Sequence, residues 1–419
     1  MERLALRWIP ALRFAAAGMT ARTFSLLSEP AIVSKALAFI NDKRVRDWFY
    51  QAALLIGLAA LLIYFIRNAS QNMVQAGIAS GFDFLWRTSG IEVPFVITNY
   101  TQSDNILSLF WAGVANTLLV TAIALVLSTL LGFLIGIARL SSIWLVQAMA
   151  GAYVEFVRNI PLLFFVLFWY FGVIAALPAP RESLSVFGVA FLNNRGLTIP
   201  LPDAGANFRY AFIAIAASCL LHWLFLRWAR RRKEATGRDA PVLRIGLLLL
   251  VLVPVLALAW ATLATRWDIP VLRGFNYRGG FVVIPEFVAL LAALVTYTAG
   301  FIAEIVRGGI QSVPHGQIEA SAALGLRPGP TLRLVTIPQA LRVMTPPMTN
   351  QYLNVLKNSS FGAAIAYPDV VSLFMGSALN NTGQAIEIIA MTLAVYLVIG
   401  LAVSAFMNWY NARIALVTR

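Results

Sequence analysis

Cysteine and histidine are nearly absent from this sequence, which limits the chemistry that it can support. The 419 residues include one cysteine, Cys219, and two histidines, His222 and His315. A single thiol cannot build a disulfide framework, and these three side chains are too few for a metal cluster. The sequence therefore predicts no metal site, no metal-dependent enzyme and no bound cofactor.

Charged side chains are also scarce. They make up 12% of the residues, whereas hydrophobic residues make up 60%, a composition outside the range of soluble globular proteins. The formal net charge is +14, but the basic residues flank apolar runs and do not form a stripe with interleaved aromatic rings. We therefore expect a protein that crosses a membrane several times, and we expect no nucleic-acid partner.

The N-terminal stretch lacks an apolar run as long as a signal-peptide core, because arginines interrupt each run. These are Arg3, Arg7, Arg13 and Arg22. We interpret residues 1–48 as a basic cytoplasmic extension that precedes the first membrane helix.

Long apolar stretches dominate the rest of the chain. A helix needs about 20 mostly apolar residues to cross a bilayer, and eight stretches meet this requirement, which predicts an all-α polytopic membrane protein with about eight transmembrane helices. The stretches are 49–67, 107–138, 143–178, 207–228, 243–264, 284–307, 348–375 and 386–409. The seventh is the most polar, since it contains "LKNSSFGAAIAYPD", and such residues must face protein or a water-filled cavity at membrane depth.

Lysine and arginine are distributed unevenly between the two sides of these stretches. If the N-terminus lies inside, the cytoplasmic segments carry 24 of the 32 basic residues. Cytoplasmic loops of membrane proteins are enriched in such residues, so we predict that both termini are cytoplasmic. The strongest single anchor is "RWARRRK" at 227–233.

A segment rich in alanine, glycine and proline joins the sixth and seventh stretches on the predicted cytoplasmic side. It reads "GQIEASAALGLRPGPTLRLVTIPQALRVMTPP" at 316–347. Its first part predicts a short helix with Glu319 in the first turn, near the positive end of the helix dipole, and with Gly325 at its end. Small side chains such as Ala320 and Ala322 leave the helix surface bare enough for another backbone to approach closely. From these residues alone, a simple surface connector is an equally good interpretation.

The same segment resembles the EAA loop of the membrane subunits of bacterial ABC importers. That pattern places a glycine six residues after the glutamate of Glu-Ala-Ala and continues with Ile-x-x-Pro or Leu-Pro. Here Glu319, Ala320 and Gly325 match this spacing, and "IPQALRVMTPP" continues it from Ile337. Ser321 stands where the pattern has its second alanine.

Two other stretches resemble the polar amino-acid subfamily of these importers. They are "YVEFVRNIPLLFFVLFWYFG" at 153–172 and "AEIVRGGIQSV" at 303–313. One departure is "KNSSF" at 357–361, where the subfamily usually has Lys-x-Thr-Ser-Leu. The long N-terminal extension and an insertion in the middle of the chain resemble the larger permease subunit of proteobacterial general L-amino-acid uptake systems.

This resemblance implies a domain organisation around a five-helix type I importer permease core. The core comprises 107–178 and 283–412, with a cytoplasmic EAA loop at 310–345. The remaining segments are 1–106 with the extension, the first helix and an outer loop, 179–282 as an insertion with two helices, and 413–419 as a cytoplasmic tail. Two helices in the insertion restore the original orientation of the chain.

The resemblance also implies a function and a set of partners. The chain is expected to be a permease subunit that translocates L-amino acids across the bacterial inner membrane. The sequence has no Gly-x-x-x-x-Gly-Lys-Ser/Thr nucleotide-binding loop, because none of its lysines follows a glycine. ATP hydrolysis is therefore expected in a partner, for which the resemblance implies a cytoplasmic ATPase dimer. The resemblance also implies a periplasmic amino-acid-binding protein and a second, related permease as partners. The residues implied in coupling to the ATPase are Gly316, Glu319, Ala320, Ser321, Ala322, Gly325, Ile337 and Pro338.

Two other classes of membrane protein fit the sequence less well. An ion-coupled secondary transporter usually has repeated halves and carboxylates in the middle of its helices, and neither feature is found here. A membrane enzyme needs a nucleophile, a base and an orienting group at matching depth, and no such set is present.

A path for an amino acid needs donors for its carboxylate and acceptors for its ammonium group. The candidates in the apolar stretches are Asn116, Asn159, Asn358, Ser359 and Ser360. Hydrogen bonding between helices is the competing role for each of them. Glu304 and Arg307, three residues apart, are interpreted as an ion pair within one helix.

Overall fold

The computed structural model describes residues 43–75, 81–202, 206–238 and 240–414. Most of the predicted N-terminal extension and the end of the predicted tail lie outside the described residues. The chain divides into two compact units, Met1–Ala79 and Ser80–Arg419. The described part of the first unit is helix α1 (Lys43–Gln75), whose segment Arg46–Ala69 is long and apolar enough to cross a membrane.

Two long helices, α2 (Ile106–Ala138) and α8 (Pro285–Gln311), form the centre of the second unit. Glycines allow them to approach closely: a methyl group added to Gly136 would lie 2.7 Å from Cβ of Val306. Gly132 meets Ile302 in the same way. Because the contact advances by four residues on both helices, α2 and α8 run parallel.

The third apolar stretch is broken, where sequence analysis predicted one span. Helix α3 (Trp144–Asn159) and helix α4 (Leu162–Leu167), which continues as a π-helix over Phe168–Ile174, meet at an angle of 107°. Pro161 causes the break, because it lacks an N–H group and keeps Ile160 extended. After the break, Trp169 donates a hydrogen bond to Thr296 of α8 (3.2 Å).

The insertion contains two membrane-length helical segments that form a hairpin. They are α5 (Ala206–Thr236) and the continuous run of α6 (Val242–Leu247), a π-helical turn (Leu248–Leu252) and α7 (Val253–Ala264). The two segments pack against each other along their length. The hairpin reverses the chain direction twice, so it leaves the direction of α8 unchanged and is compatible with the parallel arrangement of α2 and α8.

The insertion also contains short strands, which sequence analysis did not predict. They are β1 (Leu184–Val186), β2 (Ala190–Asn193), β3 (Gly196–Ile199), β4 (Leu201–Pro202), β5 (Trp267–Asp268), β6 (Val271–Arg273), β7 (Asn276–Arg278) and β8 (Phe281–Val283). One antiparallel sheet has the order β1-β2-β3-β8, and β4–β5 and β6–β7 form two further antiparallel pairs. Because β8 runs directly into α8, this outer β layer, as we call these strands together, is attached to the core.

A connecting segment and a broken helix follow α8. The segment contains α9 (His315–Ala323), α10 (Pro328–Thr331) and a π-helical turn (Leu332–Thr336), and α11 (Ile337–Asn358) begins well before the expected start at residue 348. Beyond α11 come a 3₁₀ turn (Ser359–Ile365), a π-helix (Val371–Ala378), α12 (Leu379–Thr382) and α13 (Ala385–Ile414).

The seventh predicted stretch is therefore not one continuous helix. Ala366 has a left-handed backbone (φ 60°), and Pro368 follows it, so the helix cannot continue through this point. Lys357 is one of the 24 basic residues that sequence analysis counted as cytoplasmic, together with the connecting segment, but it lies at the opposite end of α11 from that segment. By length and composition, the described residues provide six helices that could cross a membrane, or seven with the bent α3–α4 pair, so the predicted eight are not confirmed.

Buried apolar residues connect the outer β layer to the broken helix. Phe95, in the loop before α2, packs against Phe281 of β8, Phe287 of α8 and Tyr367 at the break, with ring centroids 5.6–6.4 Å apart. A second cluster joins Val306 of α8 to the start of α11. Buried apolar contacts therefore hold one end of α8 against the start of α11 and the other end of α8 against the break that follows α11.

Candidate functional site

The end of α9 has a well-defined backbone geometry, which explains why the helix stops there. Gly325 adopts a left-handed conformation (φ 76°) and donates its N–H to the carbonyl of Ala322 (2.9 Å). The N–H of Leu326 reaches back to the carbonyl of Ser321 (3.1 Å), which completes a Schellman motif. The prediction of a short helix ended by Gly325 is confirmed.

The start of α9 differs from the prediction. The helix begins at His315 after Pro314, so its first turn holds no acidic residue, and Glu319 lies in the second turn. The favourable interaction with a helix dipole decays within the first turn. Glu319 is exposed and is consequently a surface carboxylate on the side of α9.

One face of α9 is bare and turned outward. Gly316, Ala320, Ala322 and Gly325 are all exposed, and a methyl group built on either glycine would meet nothing within 4 Å in the described part of the chain beyond the adjoining backbone. This face can therefore be approached closely by another polypeptide.

Ser321, predicted to belong to the same set, faces the other way. Its side chain is buried, donates to the carbonyl of Ile318 (2.7 Å) and shares a hydrogen bond with the hydroxyl of Thr331 (3.0 Å). The residue that departs from the EAA pattern thus joins α9 to α10 inside this chain. Ile337 and Pro338, also predicted, lie at the start of α11, exposed and half-buried respectively.

Leu324 is the residue at this surface that sequence reasoning missed. Its side chain is 82% exposed, which places it among the most exposed large apolar side chains of the described residues. The signal was available in the sequence: a leucine directly before a helix-ending glycine lies at the last position of the helix, where it projects past the end.

Three charged side chains hold the end of α8 that leads into α9. Glu304 forms an ion pair with Arg139 at the end of α2, and its other oxygen lies 2.5 Å from Arg307. The predicted pair within α8 is confirmed, and it extends to a second helix. Arg139 and Arg307 also line a cleft of about 330 Å³ together with Trp144, Gln147 and Gln311.

The broken helix forms a second site of interest, because polar groups hold it deep in the core. Asn116 is fully buried, and its amide donates to the carbonyls of Phe95 and Pro368, both at 2.9 Å. The hydroxyl of Tyr367 donates to the carbonyl of Asn116 (2.9 Å), and the N–H of Val370 donates to the hydroxyl of Thr117 (3.1 Å). Asn116 therefore joins α2 to two segments of irregular backbone.

Asp369 was not among the predicted site residues, although it is completely buried at this break. One carboxylate oxygen accepts a hydrogen bond from the N–H of Ser372 (2.7 Å), which caps the following π-helix. The other oxygen is buried without a hydrogen-bond partner among the described residues. Its position in "YPD" was visible, but its burial depends on the break.

The other predicted path residues do not lie in a single environment. Ser359 is buried and Ser360 half-buried, and their hydroxyls donate to the carbonyls of Leu356 and Lys357 within their own helical turn (both 2.7 Å). Asn358 is partly exposed at the end of α11, and Asn159 is exposed at the break between α3 and α4. The structure does not bring all five together.

Comparison with known proteins gives a consistent result. Residues 236–416 match the family model described as "Binding-protein-dependent transport system inner membrane component". The amino-acid ABC transporter permease protein YhdX of Escherichia coli is 47% identical over 387 residues, which cover 92% of this chain and 98% of that protein.

Two other relatives are similar over most of their length. The general L-amino acid transport system permease protein AapQ of Rhizobium johnstonii is 42% identical, covering 90% of this chain and 94% of that protein. The glutamate/glutamine/aspartate/asparagine transport system permease protein BztB of Rhodobacter capsulatus is 36% identical, covering 94% of this chain and all of that protein.

Proposed function

The chain belongs to the membrane-spanning permease subunits of amino-acid ABC transporters, and from this premise we propose that it translocates L-amino acids inward across the bacterial inner membrane. As a permease it is a transport component and not an enzyme, and it is a multi-pass inner-membrane protein. Importers of this kind work with an ATPase and a binding protein. We propose that here the partners are a cytoplasmic ATPase dimer, a periplasmic amino-acid-binding protein and a second, related permease that completes a heterodimer.

We propose that α9 is the contact with the ATPase. The observation that carries this proposal is the outward face formed by Gly316, Glu319, Ala320, Ala322 and the 82% exposed Leu324. Small residues permit close approach, and a protruding apolar side chain fits a pocket on a partner. Ser321 contributes indirectly, since it holds α9 on α10.

Packing around α9 explains how a movement there would reach the membrane helices. Val313, in the short link between α8 and α9, is buried with Val306 of α8 and with Met344 of α11. Gly309 allows Met344 to lie directly against α8. Since packed side chains resist compression, a push on α9 moves α8 and α11 together.

The test of this proposal is Gly325→Asp. The substitution places a carboxylate on the face where the ATPase would approach, and it forces an L-residue into a left-handed backbone. Burying that charge in a tight interface without a partner is costly. We expect complexes that insert normally but either lose the ATPase or hydrolyse ATP without amino-acid uptake.

Gly325→Asn is the matched control, because asparagine has nearly the same size, carries no charge and tolerates the left-handed conformation best after glycine. It should retain substantially more ATPase than the aspartate variant. If the complex with Gly325→Asp keeps a stoichiometric ATPase and transports amino acids at the normal rate, α9 is only a connector.

We propose that the substrate passes beside the break that follows α11. Asn358 and Asn159 are accessible, whereas the amide of Asn116 and the hydroxyls of Ser359 and Ser360 are already engaged within the chain. The first two are therefore proposed to meet the substrate, and the other three to position the break. Asn358→Ala should raise KM for uptake without loss of assembly; an unchanged KM would remove this residue from the path.

We propose that both termini and α9 are cytoplasmic and that the outer β layer is periplasmic. The bias of basic residues supports this orientation. The β layer and α9 lie at opposite ends of α8, so they are expected on opposite sides of the membrane in either orientation. A cysteine at Phe187, which is 97% exposed, should react with an impermeant reagent in intact cells after Cys219 is replaced by alanine. Labelling only after cell breakage would show that the chain has the opposite orientation.

A further inference from the structure

A cluster of arginines at the end of α5 is not used by the proposed transport function. We call Arg227, Arg230, Arg231, Arg232, Arg238 and Arg244 the basic collar; all of them are exposed. The sequence from 227 to 244 contains seven basic and two acidic residues. An exposed group of arginines with so few neighbouring carboxylates is suited to an anionic partner.

The length of α5 places the collar at the membrane surface. The membrane-length segment begins at Asn207, and about 20 residues of helix cross the hydrocarbon core, which brings Arg227 to the level of the lipid headgroups. The second half of the hairpin passes α5 at His222, since a methyl group on Gly246 would lie 3.2 Å from its Cε1. Arg227 and Arg244 both lie on the loop side of this contact.

Two tryptophans hold arginines of the collar in defined positions. The guanidinium carbon of Arg227 lies 3.8 Å from the ring centroid of Trp223, and that of Arg232 lies 5.2 Å from that of Trp228. Stacking occupies a face of the guanidinium plane and leaves its N–H edge available. That edge matches two oxygens of a phosphate group.

The apolar surface on the membrane side of the collar indicates which kind of anion the collar would meet. On the membrane side of Arg227, α5 exposes Leu220, Leu221 and Leu224, each about half exposed, and these side chains require a hydrocarbon environment. Acyl chains that cover them carry their headgroups at the level of the collar. The phosphates of the same lipid molecules therefore lie within reach of the arginines.

We propose that the basic collar binds the phosphodiester groups of anionic phospholipids in the inner leaflet. The proposal depends on the orientation proposed above, which places the collar on the cytoplasmic side. Stacked arginines select phosphate by bidentate hydrogen bonds, and the remaining arginines add electrostatic attraction to an anionic leaflet. The hairpin is then anchored at its cytoplasmic end by lipid.

The test compares lipids retained by the purified transporter complex. Complexes are extracted in mild detergent from membranes that contain phosphatidylglycerol and phosphatidylethanolamine, and the retained lipids are measured by mass spectrometry. The variant carries Arg227→Gln, Arg230→Gln and Arg232→Gln. The matched control carries Arg266→Gln, Arg273→Gln and Arg278→Gln, which removes the same number of exposed arginines from the opposite end of the hairpin.

We expect the collar variant to retain severalfold less phosphatidylglycerol than the control, with equal phosphatidylethanolamine. Equal phosphatidylglycerol in the two variants would overturn the proposal. So would loss of the ATPase subunit with unchanged lipid, because the collar would then be a protein contact.

A smaller change keeps the test decisive where the triple variant does not assemble. Arg232→Gln is then compared with Arg273→Gln in the same measurement, and equal retention again overturns the proposal. Lipid retention is measured without substrate or ATP, so its result is independent of uptake. If the unaltered complex shows no amino-acid uptake while the collar variant still loses phosphatidylglycerol, the proposed function is contradicted and the collar is not.

Discussion

Asn116→Leu is the substitution that best separates a structural from a substrate-binding role in the core. Leucine has the same number of side-chain heavy atoms, branched at the same carbon, but it removes the two N–H groups that reach the carbonyls of Phe95 and Pro368. Both carbonyls belong to irregular backbone, and Asn116 is the hydrogen-bond donor recorded for each within the described part of the chain. They cannot turn to water, because Phe95 and Pro368 are themselves buried.

The expected cost follows from these two bonds. A hydrogen bond between membrane helices contributes about 0.6 kcal/mol on average and up to about 1.7 kcal/mol, and a buried acceptor left without a donor costs about 1–3 kcal/mol. The side-chain oxygen of Asn116 has no hydrogen-bond partner among the described residues, so its removal returns part of this loss. We therefore expect destabilisation by about 2 kcal/mol, seen as a fall of several degrees in the thermal midpoint of the purified complex.

The assay measures the thermal midpoint and the KM for amino-acid uptake on the same preparation. Asn358→Leu is the matched control, since it makes the same chemical change at a partly exposed position and should leave the midpoint unchanged. A stable Asn116→Leu complex with a raised KM would refute this reasoning and would place the amide of Asn116 in the substrate path.

Three further predictions concern other positions. Ser321→Ala should lower the free energy of unfolding by about 1 kcal/mol through the lost hydrogen bond to Thr331, yet it should keep the ATPase in pull-down experiments. Leu324→Ala should leave the stability unchanged and weaken the association with the ATPase. The reverse pattern would show that Ser321 contacts the ATPase and that Leu324 stabilises the fold. Gly136→Leu should destabilise the α2–α8 contact by about 1–3 kcal/mol, measured as a lower thermal midpoint. Gly308→Leu is the control and should not lower the midpoint, because Gly308 has open space around it. Equal midpoints for the two variants would contradict the close packing. Phe187→Gly should stabilise the β1–β2 hairpin by about 1 kcal/mol, because Phe187 has a left-handed backbone (φ 53°), and slower proteolysis within this hairpin would show it; faster cleavage would contradict the strain.

The long helices were predictable from sequence because their signal is strong. Apolar stretches near 107–138, 207–228 and 284–307 correspond to α2, α5 and α8, and hydropathy alone is sufficient when a run exceeds about 20 residues. The end of α9 was also predictable, since Gly325 provides a local stop signal.

The outer β layer was not predictable in the same way. Its strands are two to four residues long, too short for an alternating pattern to be recognised. Strand β3 pairs with β8 across the whole hairpin of the insertion, with Thr198 opposite Val282. A pairing between positions so far apart in sequence has no local signal.

Side-chain roles were the least predictable part of the candidate site. Ser321 and Ala322 are neighbours in a short polar and alanine-rich helix, yet one is buried and the other exposed, because the fold of the α9–α10 turn decides which side faces inward. Asn116 has the polar side chain that a substrate path requires, but both of its N–H groups are engaged by backbone carbonyls, one in the loop before α2 and one at the break 252 residues later.

The pairing of β4 with β5 makes the hairpin of α5 and α7 a separable module. Pro202 lies opposite Trp267 in an antiparallel register, so the chain leaves the outer β layer and returns to it at the same place. A two-residue turn is the commonest connection for such a pair, and it could replace the whole hairpin without displacing β8 or α8. In evolutionary terms, a lineage could gain or lose this pair of helices in a single event, and a shortened permease would keep the same core.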